Sequence, residues 1–211
     1  TTCHHPYNHD TTCHHHYCGH MRWSPDARGR LERAAFELFA EQGYQATTVP
    51  QITARAGLTT RTFFRYFADK REVIFAGDEI PDLARAAIEG APTGIDPLDI
   101  VVHGLCTVAD ERFEGRHGEV GSVRRLVLSE SSLRERDARK RADLTDAVRE
   151  AFVHRGLDPS EAAVIAETTV MLFHVALEAW LTGPAERRMA DVVDEQLSAL
   201  RGVLDRRPAA S

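Results

Sequence analysis

The sequence predicts an all-α protein, with a small three-helix head at its N-terminal end and a larger helical body behind it. Three observations carry that expectation. Apolar residues recur at three- and four-residue spacing in segment after segment, which is the helical period. Strand-like alternation is nearly missing. Residues 48–70, TVPQITARAGLTTRTFFRYFADK, read as two short helices joined by a tight turn.

That stretch can be justified residue by residue. Thr48 with Gln51 forms a capping box, and Pro50 suits a first helical turn. Ile52 and Ala56 carry the apolar side, and Gly57 stops the helix because it tolerates a left-handed backbone. Thr59 then caps a second helix over about 60–67. Two short helices around such a turn form a helix-turn-helix, whose second helix enters the DNA major groove. Phe63 and Phe67 share one face of that helix and are predicted to pack inward. Thr60, Arg61, Thr62 and Arg65 fall on the other sides, with Tyr66 at the edge. Arg61, near the helix N-terminus, suits a two-pronged contact with a guanine edge.

The helix before this unit is predicted to open at Ser24-Pro25-Asp26. Leu31, Ala35, Leu38 and Phe39 form its stripe, Gly43 ends it, and Tyr44 is expected to fold back onto it. From this point the chain shows a resemblance. The segment AAFELFAEQGYQATTVPQITARAGLTTRTFFRYFADKREV resembles the DNA-binding domain of the tetracycline-repressor (TetR) family. It carries LF-x-x-x-G-[YF], then T-[TS]-V-x-x-I-x-x-x-A-G-[VL]-[ST], then an aromatic run closing in Y-F-x-x-K, with no gap. The resemblance implies a DNA reader in which Thr60, Arg61, Thr62 and Arg65 face bases. Thr48, Tyr66 and Lys70 then face phosphates, and Thr59, which caps the reading helix, is counted with the DNA-binding residues. Phe64 stands where the family often has a hydroxylated aromatic. Arg22 and Arg28 are read as solvated.

Charge is divided to match. Residues 22–71 hold nine Arg/Lys against five Asp/Glu, whereas residues 72–211 hold 17 against 26. A basic head on an acidic body suits a DNA reader whose larger part does something else. Residues 1–21 stand apart, with three of the four Cys and seven of the eleven His. They are read as an expression tag ending in a Gly-His-Met scar, with Met21 as the native start. Cys3, His4, Cys13, His14 and Cys18 do not follow zinc-finger spacing, so no physiological metal site is expected. Cys106 is then the one remaining cysteine, which suits a cytoplasmic protein. No apolar run is read as approaching the ~18 residues of a membrane span, and no membrane partner is expected.

The head is assigned to residues 22–70 and the body to 71–211. Asp69 is expected to cap a fourth helix running through Val73, Ile74 and Phe75 toward Ala87, with Pro81 as an internal kink. GAPTGIDP at 90–97 is a linker, and a helix follows from Leu98 past Cys106. EGRHGEVG is read as a second break, followed by helices over about 120–130 and Leu133–His154. The charged run RERDARKR on the latter is taken as a solvated face. Gly156 closes it, and Asp158-Pro159-Ser160 opens a long helix with Ile165, Thr169, Leu172, Ala176, Ala179 and Trp180 in register. Gly183-Pro184 separates it from a last helix through Met189, Val193, Leu197, Leu200 and Leu204.

In the TetR family the last two helices pair with those of a second subunit. The resemblance therefore implies a homodimer on a double-stranded palindromic operator, with Leu172, Ala176, Trp180, Val193, Leu197 and Leu200 at the interface. It also implies a repressor released by a small effector bound in the body. TRTFFRYF, the Gly77-Asp78 pair and FHVALEAW look most like the mycofactocin-regulator-like branch, some of whose members respond to long-chain acyl-coenzyme A. An apolar effector, an acyl-CoA or another such ligand, is the expectation. His103, Cys106, Phe113, Leu126, Phe152, His174 and Glu178 are the candidate pocket residues, and no cofactor is expected. No phosphate loop, H-E-x-x-H pair or G-x-S-x-G elbow occurs, so the chain is not expected to be an enzyme. A nonspecific DNA-binding or helical interaction protein is the alternative, and the net charge of −6 argues against it.

Overall fold

The computed structural model describes residues 26–75 and 80–205, and the regular elements among them are all helices. The head comprises α1 (Ala27–Gln42), α2 (Val49–Ala56) and α3 (Thr60–Tyr66). The body comprises α4 (Ile80–Gly90), α5 (Pro97–Phe113), α6 (His117–Ser129), α7 (Ser131–His154), α8 (Pro159–Thr182) and α9 (Met189–Leu204). The Cys/His-rich segment, Arg22, Ser24, Pro25, Gly77 and Asp78 lie outside the described residues.

The head forms as its caps dictate. Asp26, rather than Ser24, is the N-cap of α1, its carboxylate accepting the Gly29 amide at 3.1 Å. Thr48 and Gln51 complete the capping box of α2, and Gly57 turns the chain in the left-handed region at φ 64°. Thr59 accepts the Thr62 amide at 3.1 Å to cap α3. Leu31, Ala35, Leu38, Phe39, Ile52, Phe63 and Phe67 bury together, and Tyr44 packs back on Phe39 at a ring distance of 5.3 Å.

The predicted helix after Asp69 does not form over 69–75. Those residues are turns, because the Asp69 carboxylate takes the backbone amides of Arg71 and Glu72 and the Arg71 guanidinium. Val73 and Ile74 still bury, in the head's own core. Pro81 is the second described residue of α4, and the expected kink there falls at the edge of residues 76–79, which lie outside the described residues. The predicted break at EGRHGEVG is shorter than expected: Gly115 turns at φ 69°, but Gly118 and Gly121 are helical. Gly121 is buried, and a β-carbon there would lie 3.6 Å from Leu181 of α8.

Head and body share apolar contacts. Val127 and Leu133, at the α6–α7 junction, belong to the head's cluster, with Val123 and Leu126 packed against it. The body's own core gathers residues of α4, α5, α7, α8 and α9. Among the described helices α8 alone is long and apolar enough to cross a bilayer, which corrects the reading that no run comes close. It packs against α7 and α9, and its buried side carries Ala162, Ala166, Thr169, Leu172, Ala176 and Trp180. We read it as the central helix of the body.

This packing corrects the interface assignment. Leu172, Ala176, Trp180, Val193 and Leu197 are buried within the single chain, and Leu200 packs at the margin of the same core. The surfaces of the first five are already consumed by the fold, whereas Leu200 is only partly buried. Periodicity identifies an apolar face on each of the last two helices, but each helix has more than one neighbour within its own chain to satisfy.

Candidate DNA interface and effector cavity

The side of α3 away from Phe63 presents Thr60, Arg61, Phe64, Arg65 and Tyr66 to solvent, with Thr62 half-buried beside its cap. The arginines of the head differ sharply in what they hold. Arg28, Arg33, Arg55 and Arg71 each pair with a carboxylate, and Arg30 donates to the Ala56 carbonyl. Arg61 and Arg65 have no carboxylate partner among the described residues. Arg65 instead lies over the Tyr66 ring at 4.8 Å and donates to its hydroxyl at 3.1 Å. The cations left uncompensated are those on the helix that would enter a groove. Phe64 is 56 % exposed, an apolar group suited to a thymine methyl rather than a phosphate.

Lys70 occupies a different position from the one expected. Its ammonium donates to the carbonyls of Tyr44 (2.7 Å) and Thr47 (2.8 Å) and lies 4.0 Å from the Tyr44 ring centre. Burial lowers its pKa, partly opposed by Glu130. It stitches the α1–α2 loop to the end of the head, so it is structural rather than a free phosphate contact. Lys70→Met is expected to destabilise the head by about 2 kcal/mol, the worth of charge-assisted hydrogen bonds. A thermal melt checks this. The salt dependence of DNA binding should keep its slope, whereas a lost phosphate contact would reduce it by ~1.

In the body a cavity of about 230 Å³ opens between α4, α6, α7 and α8. Leu144, Val170, Phe173 and Leu177 supply apolar wall, and Arg124, Arg136, Lys140 and Arg141 supply cations. Of the predicted pocket residues, His174 lines this cavity. Its Nε2 is 3.2 Å from Arg141 and 3.5 Å from Arg124, and burial followed by these guanidinia lowers its pKa. It therefore stays neutral, with Nε2 as acceptor. Glu178 and Phe113 do not line the cavity but touch residues that do: Glu178 accepts from Arg124 Nε at 2.5 Å, and Phe113 stacks edge-on against Phe173.

The other four candidates lie elsewhere. His103 is exposed on α5, Leu126 packs at the head–body seam and Phe152 is wholly buried in the body core. Cys106 sits between α5 and α9, where burial and then Asp194 and Asp110 push its thiol up to about 11. Such a thiol is inert packing. RERDARKR reads as a solvated face, yet Lys140 and Arg141 stand four and three residues before the apolar Leu144, on the side of α7 that faces the cavity. A wider hollow of about 590 Å³ at the starts of α5 and α8 is an open groove, with Asp96, Ser160, Glu161 and Val164 all exposed.

A helix-turn-helix head that exposes Arg61 and Arg65 on its second helix, joined to a helical body with a cavity, has an architecture suited to a DNA-binding regulator. Comparison with known proteins agrees. Residues 32–76 match the family model "Bacterial regulatory proteins, tetR family". The HTH-type transcriptional regulator TcmR of Streptomyces glaucescens is 40% identical over 106 residues, 47% of each chain. HbdR of Aromatoleum sp. (strain CIB), also named an HTH-type transcriptional regulator, is 33% identical over 94 residues, 40% of this chain and 39% of that one. The matched segment thus spans under half the length of these curated relatives. The structure of Thermus thermophilus FadR in complex with lauroyl-CoA has the same fold, at a TM-score of 0.51 and 22% identity, over 87% of this chain and 98% of that one. Residues 32–76 thus match the tetR family of bacterial regulatory proteins, and both curated relatives are named HTH-type transcriptional regulators.

Proposed function

We propose that this protein is a homodimeric, sequence-specific repressor of transcription that binds a palindromic operator and is released by a small ligand held in the body. The observation that carries this reading is the pair Arg61 and Arg65, exposed on the second helix of the turn and without carboxylate partners among the described residues. A seven-residue reading helix makes few contacts alone, so two heads on successive half-sites supply the affinity. The cavity beside α7 supports a ligand-responsive body, and the lauroyl-CoA bound by the Thermus thermophilus relative in fold supports an effector with an apolar tail. Cytoplasmic residence follows from this role.

Fluorescence anisotropy on DNA from upstream of its own gene, against a shuffled duplex at fixed near-physiological salt, tests the proposal. A preference of ~10³ or more is expected. Equal, salt-sensitive binding to both would favour a nonspecific DNA-binding protein.

For the partner face we turn to what the single chain leaves uncovered. Val164, Met171 and Val175 are exposed on α8 at 63, 45 and 44 %, with Thr168 between them. Their spacing of i, i+7 and i+11 forms one seam, as helix pairing requires. Met171→Glu should convert the dimer to monomers in sedimentation while leaving the helical circular dichroism intact. An unchanged dimer would remove α8 from the interface.

A further inference from the structure

The cavity wall on α7 is shared with the DNA-binding head. Arg136 and Lys140 line the cavity one turn apart, and both also reach Glu72, on the segment after α3 whose Val73 and Ile74 bury in the head's core. Glu72 is 91 % buried at its side chain. Its Oε1 accepts from Arg136 Nε at 2.5 Å, but its Oε2, 3.5 Å from Lys140 Nζ, makes no hydrogen bond. Lys140 is also within 3.4 Å of the Phe75 carbonyl. One buried carboxylate thus bridges two cavity cations to the head, and half of it is unsatisfied. A buried, incompletely bonded carboxylate is a costly group to keep in place.

The rest of the lining says what could compete with it. Arg124 and Arg141 are already taken by Asp137 and His174, and Arg124 also by Glu178. His174 is neutral, as its pKa lies below the ordinary value. Across from the α7 cations stand Val170, Phe173 and Leu177, which favour an apolar body and reject a second charge. At about 230 Å³ the cavity has room for about eight water-sized groups. This is below the ~300–1,000 Å³ of drug-sized sites, so a small ligand is indicated.

We infer that the cavity binds a small organic anion, a monocarboxylate with an apolar tail, whose carboxylate takes Arg136 and Lys140 in exchange for Glu72. The inference rests on reading this cavity as the effector site. Ligand and Glu72 use the same two cations, so occupancy releases the head from α7, and holding the head on α7 weakens the ligand. Linkage makes the two effects equal in size.

Calorimetric titration of the full chain without DNA tests this with octanoate, 1-octanol and octylammonium. Octanoate should bind at least about tenfold more tightly than octanol, and octylammonium should not bind. The pair Arg136→Gln and Lys140→Gln should weaken octanoate about tenfold or more and leave octanol unchanged. Glu72→Gln should tighten octanoate several-fold and leave octanol unchanged, a result that mere loss of structure cannot give. Equal affinity for acid and alcohol, no octanoate binding up to its solubility, or a Glu72→Gln protein with unaltered octanoate affinity would each overturn the proposal. Because DNA is left out, failure of operator binding and failure of this assignment are read in separate experiments.

Discussion

Arg61→Ala is expected to weaken binding to the cognate operator by ~1–3 kcal/mol, with little loss on unrelated DNA. Arg61 is the second residue of α3, on the exposed side, and among the described residues no carboxylate competes for it. Its guanidinium is free to make a bidentate contact with a guanine at no cost in broken ion pairs. Arg65 differs, because it is held against the Tyr66 ring and hydroxyl. That restraint leaves Arg65 less free than Arg61 to follow a base edge, so we expect it to serve a phosphate. Combining Arg61→Ala with Arg65→Ala should therefore add a sequence-independent loss to a sequence-dependent one. Anisotropy with single-substituted duplexes at fixed salt separates the two. Thermal stability should stay within ~0.5 kcal/mol, since both side chains are on the surface. If Arg61→Ala costs as much on shuffled DNA, Arg61 is a phosphate contact and base reading falls to Thr60, Thr62 and Phe64.

The reading unit was legible because each of its steps is local. Thr48, Gln51, Gly57 and Thr59 fix caps and a turn within a few residues of themselves, and the structure has all four in those roles. Helix ends farther on were legible for the same reason at Asp158 and Gly183. What stayed hidden depends on contacts distant in sequence. Lys70 resembles a surface phosphate ligand until Tyr44 and Thr47 are seen beneath it. Asp69 looks like an N-cap, yet it closes a turn because Val73 and Ile74 must enter the head's core. The charged face of α7 looks solvated, but Arg136 reaches Glu72, 64 residues away. Periodicity says that a helix has an apolar side, and only the fold says which neighbour covers it.

Trp180 shows how far that last distinction matters, and Trp180→Ala is expected to cost ~3–5 kcal/mol of folding stability. The indole is 2 % exposed, donates Nε1–H to the Arg187 carbonyl at 2.8 Å, and meets the Phe113 and His117 rings at 5.9 and 4.7 Å. It therefore locks α5, α6 and the α8–α9 turn onto one another within a single chain. Truncation leaves a cavity and an unpaired carbonyl, neither of which a partner subunit can repair. The core and interface roles make opposite forecasts. A core residue lowers the melting temperature by the same increment at every protein concentration. An interface residue would shift the monomer–dimer equilibrium and spare the isolated chain, as Met171→Glu on the exposed side of α8 is expected to do. Melting Trp180→Ala and Met171→Glu across a hundredfold range of concentration decides between them, and a concentration-dependent loss for Trp180→Ala alone would return Trp180 to the subunit interface.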